Sequence, residues 1–322
     1  MGLNILVIGG AGYIGSHITH DLVEAGYNTI VLDNLSTGLI ENLNKKSTFI
    51  EGDILNEEDL EKVFSKNIDV VFHFAALKAA GDSMFHPEKF AEGNISGGIN
   101  ILKAMVKYGV KNIIFSSSAA VYGEPQYLPI DEEHPKDPTN YYGYTKLAIE
   151  ENLKWFDKLK DIKYASLRYF NATGYDLKGR ISGQEKGTTN LSPLVMETAA
   201  GIREKLQVYG NDYDTPDGTC IRDYIHVNDL ADAHLKAMKY LLDEKQSLTV
   251  NLGTNKGSTV LEVIKAAQEV IGKEINYEIV GRRAGDPANL VASYQKAKDL
   301  LGWEAKYSDL KTIFESMRKV YL

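Results

Sequence analysis

One cysteine, Cys220, is the whole thiol inventory of a 322-residue chain. It excludes an intrachain disulfide and fits a reducing compartment. Positive charge is also scarce: 36 lysines and arginines stand against 44 acids, a net charge of −8. That balance argues against a nucleic-acid surface or a polybasic membrane patch. An anionic small ligand would have to be met by individually placed arginines and helix N-termini. No apolar run approaches the roughly 18 residues of a membrane span. The opening residues lead straight toward a strand with no charged leader segment or cleavage site, so a cytoplasmic location is expected. Repeats and low-complexity tracts are missing, and the seven histidines form no metal-binding motif. His17 and His20 share a helix turn but read as surface or packing residues. Cys220, with no suggested histidine partner, reads as a buried small residue.

What is present is ordinary globular material, 43% hydrophobic and 25% charged. The length exceeds the usual single-domain range, so two packed units or one elaborated α/β domain are expected. Asn4 to Ile8 is a short apolar run, and Gly9-Gly-Ala-Gly-Tyr-Ile-Gly15 then opens a helical pattern ending at Gly26. A second β-rich run, Thr29 to Leu32, ends in Asp33. Strand, glycine loop, helix, strand and acid make up the dinucleotide-binding βαβ unit. The glycines let the backbone approach a pyrophosphate at the helix N-terminus. Asp33 is placed to bond the adenosine ribose hydroxyls and to repel a 2′-phosphate, which favours NAD over NADP. Gly10, Gly12 and Gly15 satisfy one glycine spacing and Gly9, Gly12 and Gly15 another, so the pattern alone names no subclass.

The alternation continues through Thr48 to Ile50, Asp69 to Phe74 and Asn112 to Phe115 as strands, with a helix over Gly97 to Tyr108. Ligands in such sheets sit outside the carboxyl ends of the strands. Asp53, the Phe74 to Lys78 segment and Ser116 to Ser118 all fall there, although serines after a strand also serve as plain turn residues. The loop Pro125 to Pro138 delivers a helix carrying Tyr142 and Lys146. Side chains at i and i+4 share a helix face, so the phenol and the ammonium can occupy one site. A free phenol, pKa near 10, is a poor base at neutral pH, and a fixed cation nearby favours phenolate. Tyr141 and Tyr144 do not have that spacing to Lys146.

The second half is looser. It has helices from about Ser192, over Val227 to Leu242 and over Ser258 to Ile271, strands Leu248 to Asn251 and Asn276 to Val280, and two short helices after Ser293. The expected division is a nucleotide-binding unit over residues 1–168 and a smaller substrate-binding lobe over 169–322, some of whose segments return to the main sheet. Arg222, Arg282 and Arg283 are forks able to bind a pyrophosphate.

The chain resembles the extended short-chain dehydrogenase/reductase family and, within it, the sugar-nucleotide 4-epimerase branch. The matching segments span nearly the whole length: the glycine loop, Asp33-Asn-Leu, Phe74 to Lys78, Ser116 to Gly123, Tyr142 to Lys146, Arg168 to Asn171, Asn190-Leu, Gly210 to Tyr213, Arg222 to Val227 and Gly281 to Asp286. The resemblance implies a Rossmann-type doubly wound parallel sheet with bound NAD and a UDP-glucose/UDP-galactose substrate. It implies a homodimer through the Gly97 to Tyr108 helix and the helix from Tyr142 to Leu159. It implies that Tyr142 is the base for the sugar 4-hydroxyl, that Ser118 bridges that hydroxyl and the phenol, and that Lys146 holds the nicotinamide ribose and lowers the Tyr142 pKa. Implied cofactor positions are Gly9, Gly12, Tyr13, Ile14, Gly15, Asp33, Asn34, Asp53, Ile54, Phe74, Ala75, Lys78 and Asn94. Implied substrate positions are Asn171, Asn190, Arg222, Arg283 and Asp286, with Tyr209 near the uracil and Leu290 flanking the sugar pocket. Leucine there is shorter than the tyrosine that narrows this pocket in relatives, so room for an N-acetylated sugar is a hypothesis, set against Leu290 being a plain strand residue. A 4,6-dehydratase would carry an acid pair where Ala119 and Ala120 stand. A nucleotide-sensing binding protein would lack the tyrosine or the lysine.

Overall fold

The computed structural model describes residues 2–185, 187–283 and 286–322, so Ala284 and Gly285 of the Gly281 to Asp286 motif lie outside the described residues. The chain divides into two compact units, the first comprising 1–123, 136–168 and 231–250, the second 124–135, 169–230 and 251–322.

The first unit is built on strands β1 (Asn4–Ile8), β2 (Asn28–Asp33), β3 (Thr48–Glu51), β4 (Val70–His73), β5 (Asn112–Ser116) and β6 (Lys163–Tyr169). They lie in the order β6-β5-β4-β1-β2-β3, with Leu248–Leu252 at the edge beside β6. All five pairings among β1 to β6 are parallel, with Ile5 opposite both Thr29 and Val70. Beyond β1 the chain turns through the glycine loop into helix α1 (Tyr13–Glu24). A parallel sheet must be covered on both faces, and Ile5 to Ile8 are all fully buried. Successive side chains of β1 feed opposite faces. Leu6 and Ile8 join Leu60, Val63, Ile101, Met105, Ile149 and Leu153, which come from Glu57–Phe64 and from helices α2 (Gly97–Tyr108) and α3 (Tyr141–Lys160). Val71 of β4 belongs to that same cluster, and its neighbour Phe72 instead stacks with His234 of the helix Val227–Glu244. Strand order reverses between β1 and β4, the switch point where ligands of such sheets bind.

The second unit is made of small sheets and helices. Leu206–Tyr209 pairs in parallel with Tyr277–Val280, and Tyr224–His226 with Asn171–Thr173. Ile221–Arg222 lies between Ser258–Thr259 and Asn289–Leu290. The helix expected from Ser258 begins two residues later, at Val260. Ser258 and Thr259 pair antiparallel with Arg222 and Ile221, and Thr259 then starts the helix through a reciprocal capping box with Glu262. Trp303 is fully buried and donates its indole N–H to the Asp229 carbonyl at 2.9 Å.

Candidate active site

At the carboxyl end of β1 the glycine loop is a close backbone cradle. A Cβ on Gly15 would stand 2.2 Å from the Gly9 carbonyl oxygen, and one on Gly9 would stand 2.5 Å from the Ala75 nitrogen. Gly9 has φ +82°, in the left-handed region open chiefly to glycine. Gly12 caps α1 with no side-chain acceptor, and no acid occupies the first turn, so Tyr13, Ile14 and Gly15 begin a helix whose first turn carries no carboxylate of its own. Asp33, at the end of β2, accepts the Ala11 N–H at 2.9 Å and the Leu35 N–H at 2.9 Å. Asn34 donates to the Asp53 carboxylate at 2.9 Å, tying the ends of β2 and β3 together. Ile54 packs so tightly on Gly97 that a Cβ there would lie 2.4 Å from its Cδ1. Phe74 and Ala75 both donate their N–H to the Ile8 carbonyl, at 2.8 and 3.2 Å, and Lys78 is exposed. These features, a glycine cradle, an uncapped helix start and an acid at the second strand, fit a dinucleotide.

Asn94 lies in a π-helical turn, Ala91–Ser96, and is buried. Its amide takes the Leu77 N–H at 2.8 Å and donates to the Leu77 carbonyl at 2.9 Å and to Thr145 Oγ1 at 3.0 Å. Both ends of this side chain are therefore engaged within the protein, and it clamps the segment after β4 to α3.

Helix α3 starts where Asn140 accepts the Gly143 N–H at 2.9 Å, and Ser83 Oγ accepts the Tyr142 N–H at 3.0 Å. Ser118 caps the turn after β5 by accepting the Ala120 N–H at 3.1 Å, and its side chain hydrogen-bonds the Tyr142 phenol. Lys146, one turn beyond Tyr142, is 3% exposed. Its ammonium donates to the Ser116 carbonyl at 2.8 Å and stands 5.0 Å from the Phe115 ring centroid and 5.8 Å from that of Tyr142. The structure thus brings Ser118, Tyr142 and Lys146 together.

The electrostatics differ from the expectation that Lys146 lowers the Tyr142 pKa. Burial pushes the Tyr142 phenol above its ordinary value, and the opposing pull comes from the Ser118 hydrogen bond. Burial also lowers the Lys146 ammonium to about 7, partly offset by the negative charge of Glu150. His73, buried beside it, is driven down to about 3 by burial and then by Lys146, and is neutral. Among the described residues its Nδ1 has no hydrogen-bond partner. Glu150, His73, Ser83 and Thr145 are additions to the expected site. Of these, only Glu150 left a sequence signal, an acid four residues after Lys146 on the same helix face.

In the second unit, Arg222 is paired with Asp286 and donates to the Ile221 carbonyl at 2.7 Å. Leu290 is opposite Arg222 in the parallel register, so it is a strand residue and also a neighbour of that arginine. The Arg283 guanidinium stacks 4.1 Å from the Tyr209 ring centroid, and Arg282 covers Tyr213 at the same distance. Asn171 donates from its side chain to the Asp223 carbonyl at 2.9 Å. Asn190 is exposed and precedes Leu191–Ala199 as its N-cap, with no side-chain capping bond. Cys220 is buried, and burial pushes its thiol upward, the opposite of an activated nucleophile. His17 and His20 are both buried and bonded to the Tyr13 and Asn42 carbonyls, which makes them packing residues and not surface ones. No group of three or more metal-ligating side chains occurs among the described residues, and no helix among them is long and apolar enough to cross a membrane.

The chain is 48% identical over 312 residues to the UDP-glucose 4-epimerase of Halalkalibacterium halodurans, covering 97% of this chain and 93% of that one. The crystal structure of UDP-glucose 4-epimerase from Brucella ovis in complex with NAD matches with a TM-score of 0.95 at 42% identity, covering 98% and 97% of the two chains. The UDP-Glc/GlcNAc 4-epimerase from Campylobacter jejuni matches with a TM-score of 0.86 at 39% identity, covering 98% of each chain. Residues 5–253 match the profile of the NAD dependent epimerase/dehydratase family, and the chain belongs to that family.

Proposed function

We propose that this protein is an isomerase, a UDP-glucose 4-epimerase that interconverts UDP-glucose and UDP-galactose with NAD that it retains. The observation that carries this reading is the Ser118–Tyr142 hydrogen bond beside a buried Lys146, at the carboxyl ends of strands whose first loop is a dinucleotide cradle. Inverting a non-acidic carbinol carbon requires temporary oxidation, and bound NAD supplies the reversible hydride acceptance at sugar carbon 4. Gly9, Gly12, Tyr13, Ile14 and Gly15 would take the pyrophosphate, and Asp33 with Asn34 the adenosine ribose. Asp53, Ile54, Phe74, Ala75 and Lys78 would line the rest of the cofactor, and Asn94 would act by holding Leu77 in place.

Tyr142 removes the 4-hydroxyl proton and returns it after inversion, and Ser118 bridges the hydroxyl and the phenol. Lys146 would bond the nicotinamide ribose. General acid–base groups of this kind contribute about 10²–10⁴-fold. For the hydride to return to the opposite face, the oxidised sugar must turn over while its nucleotide stays anchored. Arg222 and Arg283 are suited to the diphosphate, Asp286, Asn171 and Asn190 to polar groups of the UDP-sugar, and Tyr209 to the uracil. Leu290, beside Arg222, is the reason to include N-acetylated UDP-hexosamines among the substrates.

The reading extends to a cytoplasmic homodimer. Trp155 and Leu159 on α3 are 56% and 64% exposed, and Val106 and Tyr108 on α2 are also exposed, which suits helices that pair with a second copy. The test is incubation of the purified protein with UDP-galactose and no added NAD, following UDP-glucose by chromatography. Absence of product from protein that carries NAD would leave a nucleotide-binding protein without turnover.

A further inference from the structure

Glu150 lies one turn beyond Lys146 on α3 and is 1% exposed. A carboxylate that deep is costly unless charge and hydrogen bonds compensate it. Oε1 accepts from Ser117 Oγ at 2.6 Å and from Arg168 Nε at 2.9 Å, and Oε2 accepts from Arg168 Nη2 at 2.5 Å. Arg168 also donates to the Tyr122 hydroxyl at 2.8 Å. Two bonds from one guanidinium already compensate the charge. The Ser117 bond is additional, and it is the one that bears on the chemistry.

Ser117 stands between the two residues that address the reacting groups. Ser116 offers its carbonyl to Lys146, and Ser118 bonds the Tyr142 phenol. The Ser117 N–H is itself fixed to the Leu167 carbonyl at 3.0 Å, next to Arg168. We propose that Glu150 is a positioning residue of the reaction: by fastening Ser117 to α3, it sets the spacing at which Ser118 and the Ser116 carbonyl meet Tyr142 and Lys146. The proposal rests on the 4-epimerase reading above.

Its charge acts on the same site. Lys146 is met by His73 from β4, by Phe115 and the Ser116 carbonyl from β5, and by Tyr142 and Glu150 from its own helix, with Arg168 of β6 behind Glu150. Glu150 is the anion among these groups, and it favours the charged ammonium against burial.

The test is steady-state turnover of UDP-galactose by the NAD-loaded enzyme across pH. The parent protein is compared with Ser117→Ala, Glu150→Gln and the Glu150→Gln/Arg168→Gln double variant, which leaves no buried guanidinium without its carboxylate. Ser117→Ala should lower kcat about tenfold with KM unchanged and Tm only modestly lowered, the loss of one well-placed hydrogen bond. The Glu150 variants should lose about 10²-fold in kcat and shift the alkaline limb of the pH profile to lower pH, because Lys146 then gives up its proton sooner. If Glu150→Gln does not fold, the other two variants decide the matter. Unchanged kcat and pH limbs with only a lower Tm would make Glu150 a purely structural residue and overturn the proposal. A parent protein that carries NAD yet turns over no UDP-galactose would instead remove the epimerase reading, and the proposal with it.

Discussion

The Lys146 ammonium stands 2.8 Å from the Ser116 carbonyl oxygen and 5.8 Å from the centre of the Tyr142 ring. Its hydrogen bond goes to the backbone at the end of β5, and the phenol's side-chain hydrogen bond is with Ser118. Tyr142→Phe keeps the ring and removes the group proposed to exchange the proton. It should retain NAD and its melting temperature and lose at least about 10²–10⁴-fold in turnover. Near-parental turnover in the purified variant would mean that a different residue exchanges the proton.

The depressed ammonium also bears on stability. Lys146 titrates near 7 in the folded protein, well below its ordinary 10.5. Between these values the unfolded chain binds the extra proton, so this contribution to stability rises with pH across the window and is constant below it. Urea denaturation of the cofactor-free protein at about pH 7 and about pH 9.5 should show a gain on the alkaline side that Lys146→Met lacks. Equal pH slopes in the two proteins would show that the lysine keeps its charge in the folded state.

Cofactor choice should follow from Asp33. A 2′-phosphate would meet a buried carboxylate already held by the Ala11 and Leu35 N–H groups, and like charges repel strongly where water is excluded. Cofactor-free protein should therefore be reconstituted by NAD far better than by NADP, and Asp33→Ser should narrow the gap. Equal affinity of the parent for both cofactors would rule out this role.

Gly15→Ala tests the cradle. The added methyl would lie 2.2 Å from the Gly9 carbonyl oxygen, a backbone atom with little room to move. The expected result is loss of retained NAD on gel filtration, read from absorbance, with a lowered melting temperature. Normal retention would mean that the loop adjusts more easily than its packing suggests.

Leu290→Tyr should cut turnover of UDP-N-acetylgalactosamine by about tenfold or more while largely sparing UDP-galactose, if a few atoms of pocket space separate the two substrates. If the parent refuses the acetylated sugar, or if both rates are unaffected, Leu290 is not the gate.

Most of what is legible in the sequence is local. The glycine spacing, the acid after the second strand and the four-residue interval from Tyr142 to Lys146 are each fixed by a single element. Networks joined across the chain are not legible. Glu150 meets Ser117 and Arg168 only because α3, β5 and β6 are neighbours, and Asp286 finds Arg222 across 64 positions. The helix starts at Val260 and not at Ser258 because Ser258 and Thr259 are taken by pairing with Arg222 and Ile221, a demand that local periodicity does not reveal. At Tyr142 burial is the largest influence on the phenol, a factor hidden for a related reason: spacing places two groups on one face but says nothing of how much water burial removes from each.

The Asn94 amide bridges Leu77, after β4, and Thr145, one residue before Lys146. On the proposed reading, cofactor grip and proton exchange therefore share one fastening, and damage to it reaches both.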